Sequence, residues 1–508
     1  MSGNVRFHCD DRRSDRTDQL YGKVATDALP DEVLLHTFYF YVNRTPGRDA
    51  WRTLDAWHTL VHVCQRWRYV VFASPKRLNL RLLCNHGRLT QTLLDVWPSS
   101  LPIAISDSAL RMAELELGGA KIITAALKHG DRISTIDLKD VPTQLSKSFL
   151  AMAGSFPLLT SLRLHSWDRN IRVLPDSCLG GSCPRLQELH LDGIPFPGLG
   201  DLLLSTSGLT DLRLDKIPHS SFITPEAMIT SLSALTKLES FELGFRSPQS
   251  RAKRASQPSP TVTRVILAAL TRFQFQGDST YLEEIVSRVD APLLETFTIT
   301  IFDCLVFDTP QLRHFISHTE SFTALNRADV IFDSDYSDIS VIFFPPDGPG
   351  SADRGALTLG VLYTNSGPEF ISLVRLCSSS LPLLPTLKRL STRRHLSPRQ
   401  PRTGVTEWVD FLRVFTFVKD LDLSGNVKLV RYFLAALREV AGERVIETLP
   451  ALQNIFLSVL WTSGNMMKVI EPFVTARRIS GRPVAVRYSR RGDGKRNLLV
   501  HSLFFSPH

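Results

Sequence analysis

The sequence "PRLQELHLDGIPFPGLGDLLLSTSGLTDLRLDKI", residues 184–217, contains one short apolar pattern twice. In each copy an apolar residue is followed by others three and five positions later, namely Leu186, Leu189 and Leu191, and then Leu209, Leu212 and Leu214. The last two apolar positions are two residues apart, which places them on one face of a strand, while the residue between them points to the other face. Each copy therefore predicts a short strand with one buried face.

The same pattern recurs along most of the chain, so it is a repeat. With these two copies included, the pattern begins 21 to 32 residues apart at Met112, Ile133, Leu159, Leu186, Leu209, Leu238, Leu270, Leu294 and, more weakly, Leu325, and two more copies begin at Val418 and Leu452 after a gap. Leucine-rich repeats have this L-x-x-L-x-L core and a period of roughly 20 to 29 residues. Each unit buries little alone, but stacked units share a continuous core.

The segments between the strands read as helical. In "PEAMITSLSALTKL", which begins at Pro225, Met228, Leu232 and Leu235 lie at helical spacing. The Asn that usually follows each strand is absent except at Asn426, and Ile194 and Ile217 take its place in two copies. We therefore predict the α/β fold class, with an irregular leucine-rich-repeat-like solenoid over residues 86–490, parallel strands on its concave face, and a C-terminal strand or tail over 491–508.

Some of the repeat region gives no clear register. The stretch 331–417 contains strand-like pieces such as "SVIFF" and "ALTLGVLY", and the polar stretches 246–261 and 345–354 read as loops. An ordinary α/β domain with Leu-rich strands is the alternative at this point.

The N-terminal part of the chain contains two apolar segments at helical spacing. In "LPDEVLLHTFYFYV" (29–42), Pro30 suits a helix start, and an apolar stripe is predicted at Val33, Leu34, Thr37, Phe38 and Tyr41. In "WHTLVHVCQRWRYVVFASP" (57–75), a second helix is predicted with its apolar stripe at Trp57, Leu60, Val61, Cys64, Trp67 and Val71. Because two such helices cannot bury this apolar surface against each other, they predict an interaction module that a partner completes.

The residues of these two helices resemble the F-box. The resemblance consists of Leu29-Pro30-Asp31-Glu32-Val33-Leu34, followed by Leu60, Val63, Cys64, Gln65, Arg66, Trp67 and Arg68, against the usual L-P-x-E-[LIV]-[LIV] and V-C-[KR]-x-W. The loop 43–56 between them is longer than in most F-boxes. Other segments, such as "DAPLLETFTITIFDCLVFDTPQLRHFI", are similar to a large family of F-box proteins in mushroom-forming fungi, over about residues 28 to 486.

The resemblance implies an F-box over residues 28–85, after a disordered tail over 1–27. It also implies a function without catalysis: the chain would be the substrate receptor of a Skp-cullin-F-box ubiquitin ligase, binding a Skp-type adaptor and, through it, a cullin, while the repeats bind a protein substrate. The adaptor-binding residues would be Leu29, Pro30, Val33, Leu34, Phe38, Leu60, Val63, Cys64 and Trp67.

The substrate would contact the outward-facing strand positions of the repeats, because solenoids bind partners with their concave face. Arg163, His190 and Arg213 are the candidates. They are mixed in charge with their neighbours and identify no particular ligand. Two other functions stay open: a repeat scaffold with no ligase role, and a basic solenoid that binds RNA.

Composition and charge limit the other functions and the cellular locations that the sequence allows. The 508 residues carry a net charge of +9, but the basic residues form short runs in segments that read as loops, Arg477 and Arg478 among them, without interleaved aromatics, so nucleic acid is disfavoured. The first 28 residues lack the apolar core of a signal peptide, and no apolar run is long enough for a membrane span. Together with seven scattered cysteines, this predicts a cytoplasmic or nuclear protein.

No cofactor or metal is expected. The sequence has no phosphate loop, no G-x-S-x-G elbow and no H-E-x-x-H motif. His58, His62 and Cys64 lack a completing carboxylate, and Cys178 and Cys183 read as free loop thiols. Gly492-Asp493-Gly494-Lys495 reads as the turn of a hairpin.

Overall fold

The computed structural model describes most of the chain. The described residues are 29–42, 56–75, 77–84, 98, 100–106, 120–138, 152, 154–166, 173–176, 178–181, 183–247, 264–302, 309–333, 338–346, 356–362, 369–380, 384–392, 404–425, 427–442, 445–458 and 465–489. The predicted N-terminal tail, the repeat copy at Met112 and the predicted hairpin turn lie outside them. The chain divides into a first unit, residues up to Leu83 with Trp97–Ile103, called here the helical unit, and a second, called the repeat unit.

The helical unit contains three described helices: α1 (Asp31–Val42), α2 (Ala56–Val61) and α3 (Gln65–Ala73). Pro30 directly precedes α1, and its carbonyl accepts hydrogen bonds from the backbone N–H groups of Val33 and Leu34. The helices share one apolar core, formed by Leu34, Leu35, Phe38, Val42, Trp57, Leu60, Val61, Val70, Val71, Leu78, Leu80 and Leu101. The strands β1 (Leu82–Cys84) and β2 (Ile103–Ser106) lie where the two units divide.

The prediction of one continuous helix after Trp57 is wrong. The chain turns at His62 and Val63, and α3 begins anew with Cys64 as its N-cap. The backbone of Cys64 is extended, and its sulfur accepts a hydrogen bond from the backbone N–H of Trp67 at 3.4 Å. Cys64 is therefore exposed at a helix start and does not lie on the apolar face, because its sulfur takes the role that Ser or Asp usually has.

The repeat unit is built on one large sheet. Its strands are β3 (Ile133–Leu138), β4 (Ser161–His165), β5 (Glu188–Asp192), β6 (Asp211–Ile217), β7 (Ser240–Phe245), β8 (Val265–Ile266), β9 (Arg272–Gly277), β10 (Val289–Asp290), β11 (Thr296–Phe302), β12 (Arg327–Asp333), β13 (Asp338–Phe344), β14 (Leu357–Leu362), β15 (Arg389–Thr392), β16 (Asp420–Asp422), β17 (Asn454–Ser458) and β18 (Ala485–Ser489). From β3 to β7, and then β9 and β11, neighbours in the sheet follow chain order, whereas β8 and β10 pair separately.

The helices of the repeat unit alternate with these strands. They are α4 (Ala120–Leu127), α5 (Leu199–Ser205), α6 (Pro225–Ala234), α7 (Ser279–Arg288), α8 (Pro310–His318), α9 (Glu369–Ser380), α10 (Val405–Val414), α11 (Val427–Glu439) and α12 (Asn465–Ile479), with short 3-10 turns at Gly130–Arg132, Cys178–Gly181, His219–Ser221, Glu320–Phe322 and Leu384–Thr386. From α5 onwards, each described helix packs on the next. This alternation of strand and helix confirms the α/β repeat architecture.

The apolar repeat positions form the core, as the sequence predicts. In every predicted copy that is described, the three apolar residues are buried; Leu186, Leu189 and Leu191 are examples. Equivalent residues stack across strands, and the Phe273 ring lies between Phe241 and Phe297 with ring centroids 5.1 and 4.9 Å away. The repeat pattern thus predicts both the strands and the face they bury.

The stretch 331–417, which gave no register, contains an antiparallel insertion. The strand β12 does not pair with β11; β13 and β14 lie between them, and β13 runs antiparallel to both of its neighbours. The expectation of uniformly parallel strands is therefore wrong here. A further repeat copy follows at Leu387, Leu390 and Thr392, where a buried threonine replaces the third apolar residue and hides the pattern.

Arg477 is not the solvated loop residue that the sequence suggested. It lies in α12 and is fully buried. Its guanidinium donates to the backbone carbonyls of Val445, Pro450 and Leu452 at 3.5, 3.3 and 3.1 Å. Arg477 therefore holds a loop of the preceding repeat in place through its backbone carbonyl groups.

Candidate functional site

An ion pair joins the two halves of the N-terminal motif. The Arg66 guanidinium binds one carboxylate oxygen of Asp31, with N···O distances of 3.0 and 2.7 Å, and also donates to the carbonyl of Leu29. The Trp67 ring packs on Phe38 with 4.7 Å between ring centroids. The residues of "LPDEVL" and "VCQRWR" thus hold the start of α1 against the start of α3.

Several predicted adaptor-binding residues belong to the core of the helical unit itself. Leu34, Phe38 and Leu60 are only 2%, 1% and 6% exposed. A side chain that is already buried within its own unit has almost no surface left for a partner. These three side chains therefore support the helices from inside, and their contact with an adaptor stays a prediction.

The other predicted adaptor-binding residues keep accessible surface. Pro30 and Cys64 are exposed, Leu29 and Trp67 are half-buried, and Val33 and Val63 are 45% and 58% exposed. The structure thus separates the predicted set into three core residues and six residues that a partner can reach. Whether an adaptor contacts these six stays a prediction.

One side of α1 carries exposed apolar residues, of which the predicted stripe included Val33 and Tyr41 but not Phe40. Val33, His36, Thr37, Phe40 and Tyr41 share the face opposite to the buried one, and we call them the outer stripe. Phe40 is 65% exposed and Tyr41 43%. The Tyr41 hydroxyl lies 3.2 Å from the Thr59 hydroxyl, which fixes the ring against α2. On α3, Tyr69 is 72% exposed.

The strand register of the repeat unit brings the three predicted substrate residues together. Arg163 is the register partner of His190, and His190 is the register partner of Arg213, on the adjacent strands β4, β5 and β6. The row continues to Glu242 on β7 and Gln274 on β9. We call the outward-facing positions of these five strands the polar strand face.

Ion pairs within strands and between neighbouring strands lie on this face. Arg163 binds Glu188 at 2.7 Å, and Glu188 also accepts a hydrogen bond from Ser161 at 2.8 Å. The Arg213 guanidinium binds both Asp211 oxygens at 3.1 Å, and the His190 ring lies 3.4 Å from Asp211. Arg163 and Arg213 are thus each hydrogen-bonded to a carboxylate, and the His190 ring lies near one.

A second row lies at the carboxyl ends of the same strands. The Lys216 ammonium is 3.0 Å from both Asp192 oxygens and 3.5 Å from Asp215, and the His165 ring is 2.9 Å from Asp192. The face is therefore a network of paired charges. Removing one member leaves a half-buried partner without its counter-charge.

The carboxylates of this network differ in pKa. Burial opposes ionisation of Glu188, but the Ser161 hydrogen bond and the Arg163 charge outweigh it, so the pKa of Glu188 is lowered. Burial likewise opposes ionisation of Asp211, and His190 and Arg213 overcome it, so that its pKa is also lowered. Burial, and then the charge of Asp215, raise the pKa of Glu242.

The two cysteines that are five residues apart in sequence, Cys178 and Cys183, have buried thiols. Cys178 and Cys183 are free, and burial raises the pKa of each to about 12. Such thiols are protonated and unreactive at neutral pH. Within the described ranges, no group of three or more His, Cys, Asp or Glu side chains could hold a metal ion. None of the described helices is long and apolar enough to cross a bilayer.

These features define an α/β repeat protein with a polar strand face, together with a small helical unit that exposes apolar side chains. No protein-family model matches the sequence, and no curated protein matches it. Among solved structures, the chain is similar to the leucine-rich repeat-containing protein LegL7 from Legionella pneumophila, with 11% identity and a TM-score of 0.23 over 84% of this chain and 94% of that chain. The fold assignment rests on the strand register and on the burial of the repeat residues.

Proposed function

We propose that this chain is an F-box protein: a substrate receptor that binds a Skp-type adaptor through the helical unit and a protein substrate through the repeat unit. In this function the chain catalyses nothing itself. It raises the effective concentration of a substrate near the ubiquitin-conjugating enzyme that the adaptor and a cullin bring.

The observation that carries the proposal is the outer stripe of α1. The motif residues Leu34 and Phe38 complete the core of the unit, yet Val33 and Phe40 remain 45% and 65% exposed on the opposite side of the same helix. Exposed aromatic and aliphatic residues on one helix face are typical of a protein contact. The resemblance of "LPDEVL" and "VCQRWR" to the F-box identifies a Skp-type adaptor as the partner for that contact.

The ion pair of the motif favours the same interpretation. Asp31 and Arg66 are 35 residues apart in sequence, and their contact fixes the angle between α1 and α3. Pro30 and Val63 lie next to these paired residues and are exposed. The first turns of α1 and α3 are thus held together, with apolar side chains beside them. Such an arrangement suits a preorganised docking surface, which loses little entropy on binding.

The polar strand face supports the substrate-binding part of the proposal. Arg163, His190 and Arg213 form one row of half-buried, fixed side chains that present both charge signs. Charge patterns of this kind select partners more than they add affinity. The row therefore suits recognition of a protein surface, whereas a nucleic-acid groove would need unpaired cations and stacking aromatics.

The test is co-purification of the full chain with a Skp-type adaptor. The double variant Val33→Asp/Phe40→Asp should lose the adaptor, because two charges would be placed in the contact. The matched control Ile479→Asp changes a side chain that is 80% exposed in the repeat unit and should retain it. Circular dichroism should show that all three chains fold alike. A wild-type chain that captures no adaptor would remove the ligase function and favour a repeat scaffold.

A second variant tests the substrate part. Charge reversal at Arg163, His190 and Arg213 together should weaken capture of substrate proteins from cell extract while adaptor binding is unchanged. Equal capture by the variant and the wild type would place the substrate elsewhere. Steeply salt-dependent binding of generic RNA by the wild type would support the RNA-binding alternative instead.

A further inference from the structure

Two histidines lie one helical turn apart on the exposed side of α8. His314 and His318 are both exposed, and their ring centroids are 3.9 Å apart with an interplanar angle of 43°. On a helix, residues at i and i+4 share one face, so both imidazoles can reach the same point in solvent. Nothing in the F-box or repeat interpretation uses this pair.

The hydrogen bonds of this turn orient the second ring. The Nδ1 atom of His318 lies 2.9 Å from the backbone carbonyl oxygen of His314. A carbonyl oxygen only accepts hydrogen bonds, so this contact favours the tautomer with the proton on Nδ1, which leaves the Nε2 lone pair for a ligand; the Ser317 hydroxyl lies 3.1 Å from the same Nδ1. Ser317 donates to the same carbonyl at 2.8 Å and reinforces this arrangement. Histidine ligands of metals almost always have such a second partner on the other ring nitrogen.

The helix that carries the pair is held firmly. On the opposite face, Leu312, Phe315 and Ile316 are buried in the repeat core. At its start, the Glu283 carboxylate of α7 accepts hydrogen bonds from the backbone N–H groups of Gln311 and Leu312 at 2.9 and 2.8 Å. A rigid backbone under both rings lowers the entropy that is lost when they close on one ligand.

We propose that His314 and His318 form a two-histidine site for a divalent transition metal. Imidazole nitrogens suit Cu²⁺, Ni²⁺ and Zn²⁺, and the order of stability for such ligands places Cu²⁺ first. Mg²⁺ and Ca²⁺ prefer oxygen ligands and are excluded. Two protein ligands leave the other coordination positions open for water or for a side chain of another molecule. The pair belongs to neither the outer stripe nor the polar strand face.

The same sequence spacing occurs at His58 and His62 without the same geometry. The helix α2 ends at Val61, so His62 lies in the following turn. The half-buried His58 ring packs edge-on against Trp57, 4.0 Å away. These two imidazoles therefore do not share an exposed helix face. They provide the internal comparison for the α8 pair.

The experiment is a titration of the full chain with Cu²⁺ in the presence of glycine as a competing ligand, followed by calorimetry and by electron paramagnetic resonance. We expect one bound equivalent with nitrogen ligands that the double variant His314→Gln/His318→Gln lacks. Each single variant should bind at least about tenfold more weakly, because a two-point attachment becomes a single one. Mg²⁺ should produce no binding signal.

The variant His62→Gln is the matched control, because it removes an exposed imidazole outside the pair, and it should bind as the wild type does. All variants should keep the wild-type melting temperature without metal, since both rings of the pair are exposed. Undiminished Cu²⁺ binding by the double variant, or equal losses in His62→Gln, would overturn the proposal.

Discussion

The accessible faces of the helical unit and the repeat unit differ in chemistry: one is apolar and the other is polar. On α1, the outer stripe exposes apolar side chains such as Val33 and Phe40, although the same helix already buries a full apolar face. On strands β4 to β7, the outward positions are polar and already paired, as Arg163 is with Glu188. The first surface would gain free energy simply by being covered, whereas the second would gain little.

This difference assigns different roles to the two surfaces. An apolar stripe on a fixed helix supplies affinity and tolerates little change in its large anchors. A network of paired charges supplies selectivity, because a wrong partner leaves half-buried charges without their counter-charges. The comparison predicts that variants of the helical unit divide sharply into those that unfold it and those that affect only binding.

The largest difference in stability is expected between variants at two neighbouring positions of α1. Leu34→Ala should cost about 2 to 5 kcal/mol of stability in the helical unit, because a side chain that is 2% exposed leaves a cavity. Val33→Ala, at a position that is 45% exposed, should change stability by less than about 0.5 kcal/mol. Hydrogen exchange of segment 29–42 would measure both. Equal effects would mean that the two faces of α1 are not distinct.

The next effect is on binding. Phe40→Ala should weaken adaptor binding by about 2 kcal/mol, roughly thirtyfold, if this ring is a central anchor of the contact. The helical unit of the Phe40→Ala variant should be as stable as that of the wild type, because the Phe40 ring is 65% exposed. Calorimetry with the purified adaptor measures the change. Tyr69→Ala, which truncates an exposed ring on α3, is the comparison; a larger loss there would move the centre of the contact to α3.

The local repeat pattern determined most of the fold, and the exceptions have physical causes. Leu189 and Leu191 identify their strand because a period of two needs only neighbouring residues. The antiparallel strand β13 could not be predicted, since "SVIFF" is apolar at positions that face both sides of the sheet, and direction depends on distant pairing. The repeat that ends at Thr392 was not recognised, because a threonine at a buried position does not match an apolar pattern.

The candidate site was harder to predict than the fold. The helix α1 is apolar on nearly all sides, so its sequence could not tell which face would be buried: the predicted stripe included Val33, which is exposed, and left out Leu35, which is buried. The His314–His318 pair could have been found from its spacing of four, because Leu312, Phe315 and Ile316 around it lie at helical spacing. The repeat pattern predicts the strand register that places Arg163, His190 and Arg213 side by side, and their role in substrate binding stays a prediction.

A smaller effect on stability is expected at the contact between α7 and α8 in the repeat unit. Glu283→Gln should cost about 1 kcal/mol, because the carboxylate caps two backbone N–H groups at the start of α8 and a neutral amide does so less well. Thermal unfolding measures it. Glu295→Gln removes an exposed carboxylate in the same unit and should have almost no effect. Equal shifts would show that only net charge matters.

The smallest effects are expected on the polar strand face, and they should have opposite signs. The pKa of Glu242 is raised above its ordinary value of 4.5, first by burial and then by Asp215. Between the ordinary and the raised pKa, the folded chain binds more protons than the unfolded chain, so stability falls as pH rises through this window. Glu242→Gln removes that loss, and the neutral side chain can still bond to Gln274.

Glu242→Gln should therefore raise the melting temperature slightly at neutral pH and leave it unchanged at about pH 4, where the carboxyl is already protonated. Glu188→Gln should act in the other direction. Its pKa is lowered, so its contribution is present above 4.5 and is lost as pH falls through the lowered value. Melting curves from about pH 3 to 8 compare the two variants. If both lowered stability at neutral pH, Glu242 would be a paired member of the network like Glu188, and its ionised form would stabilise the fold.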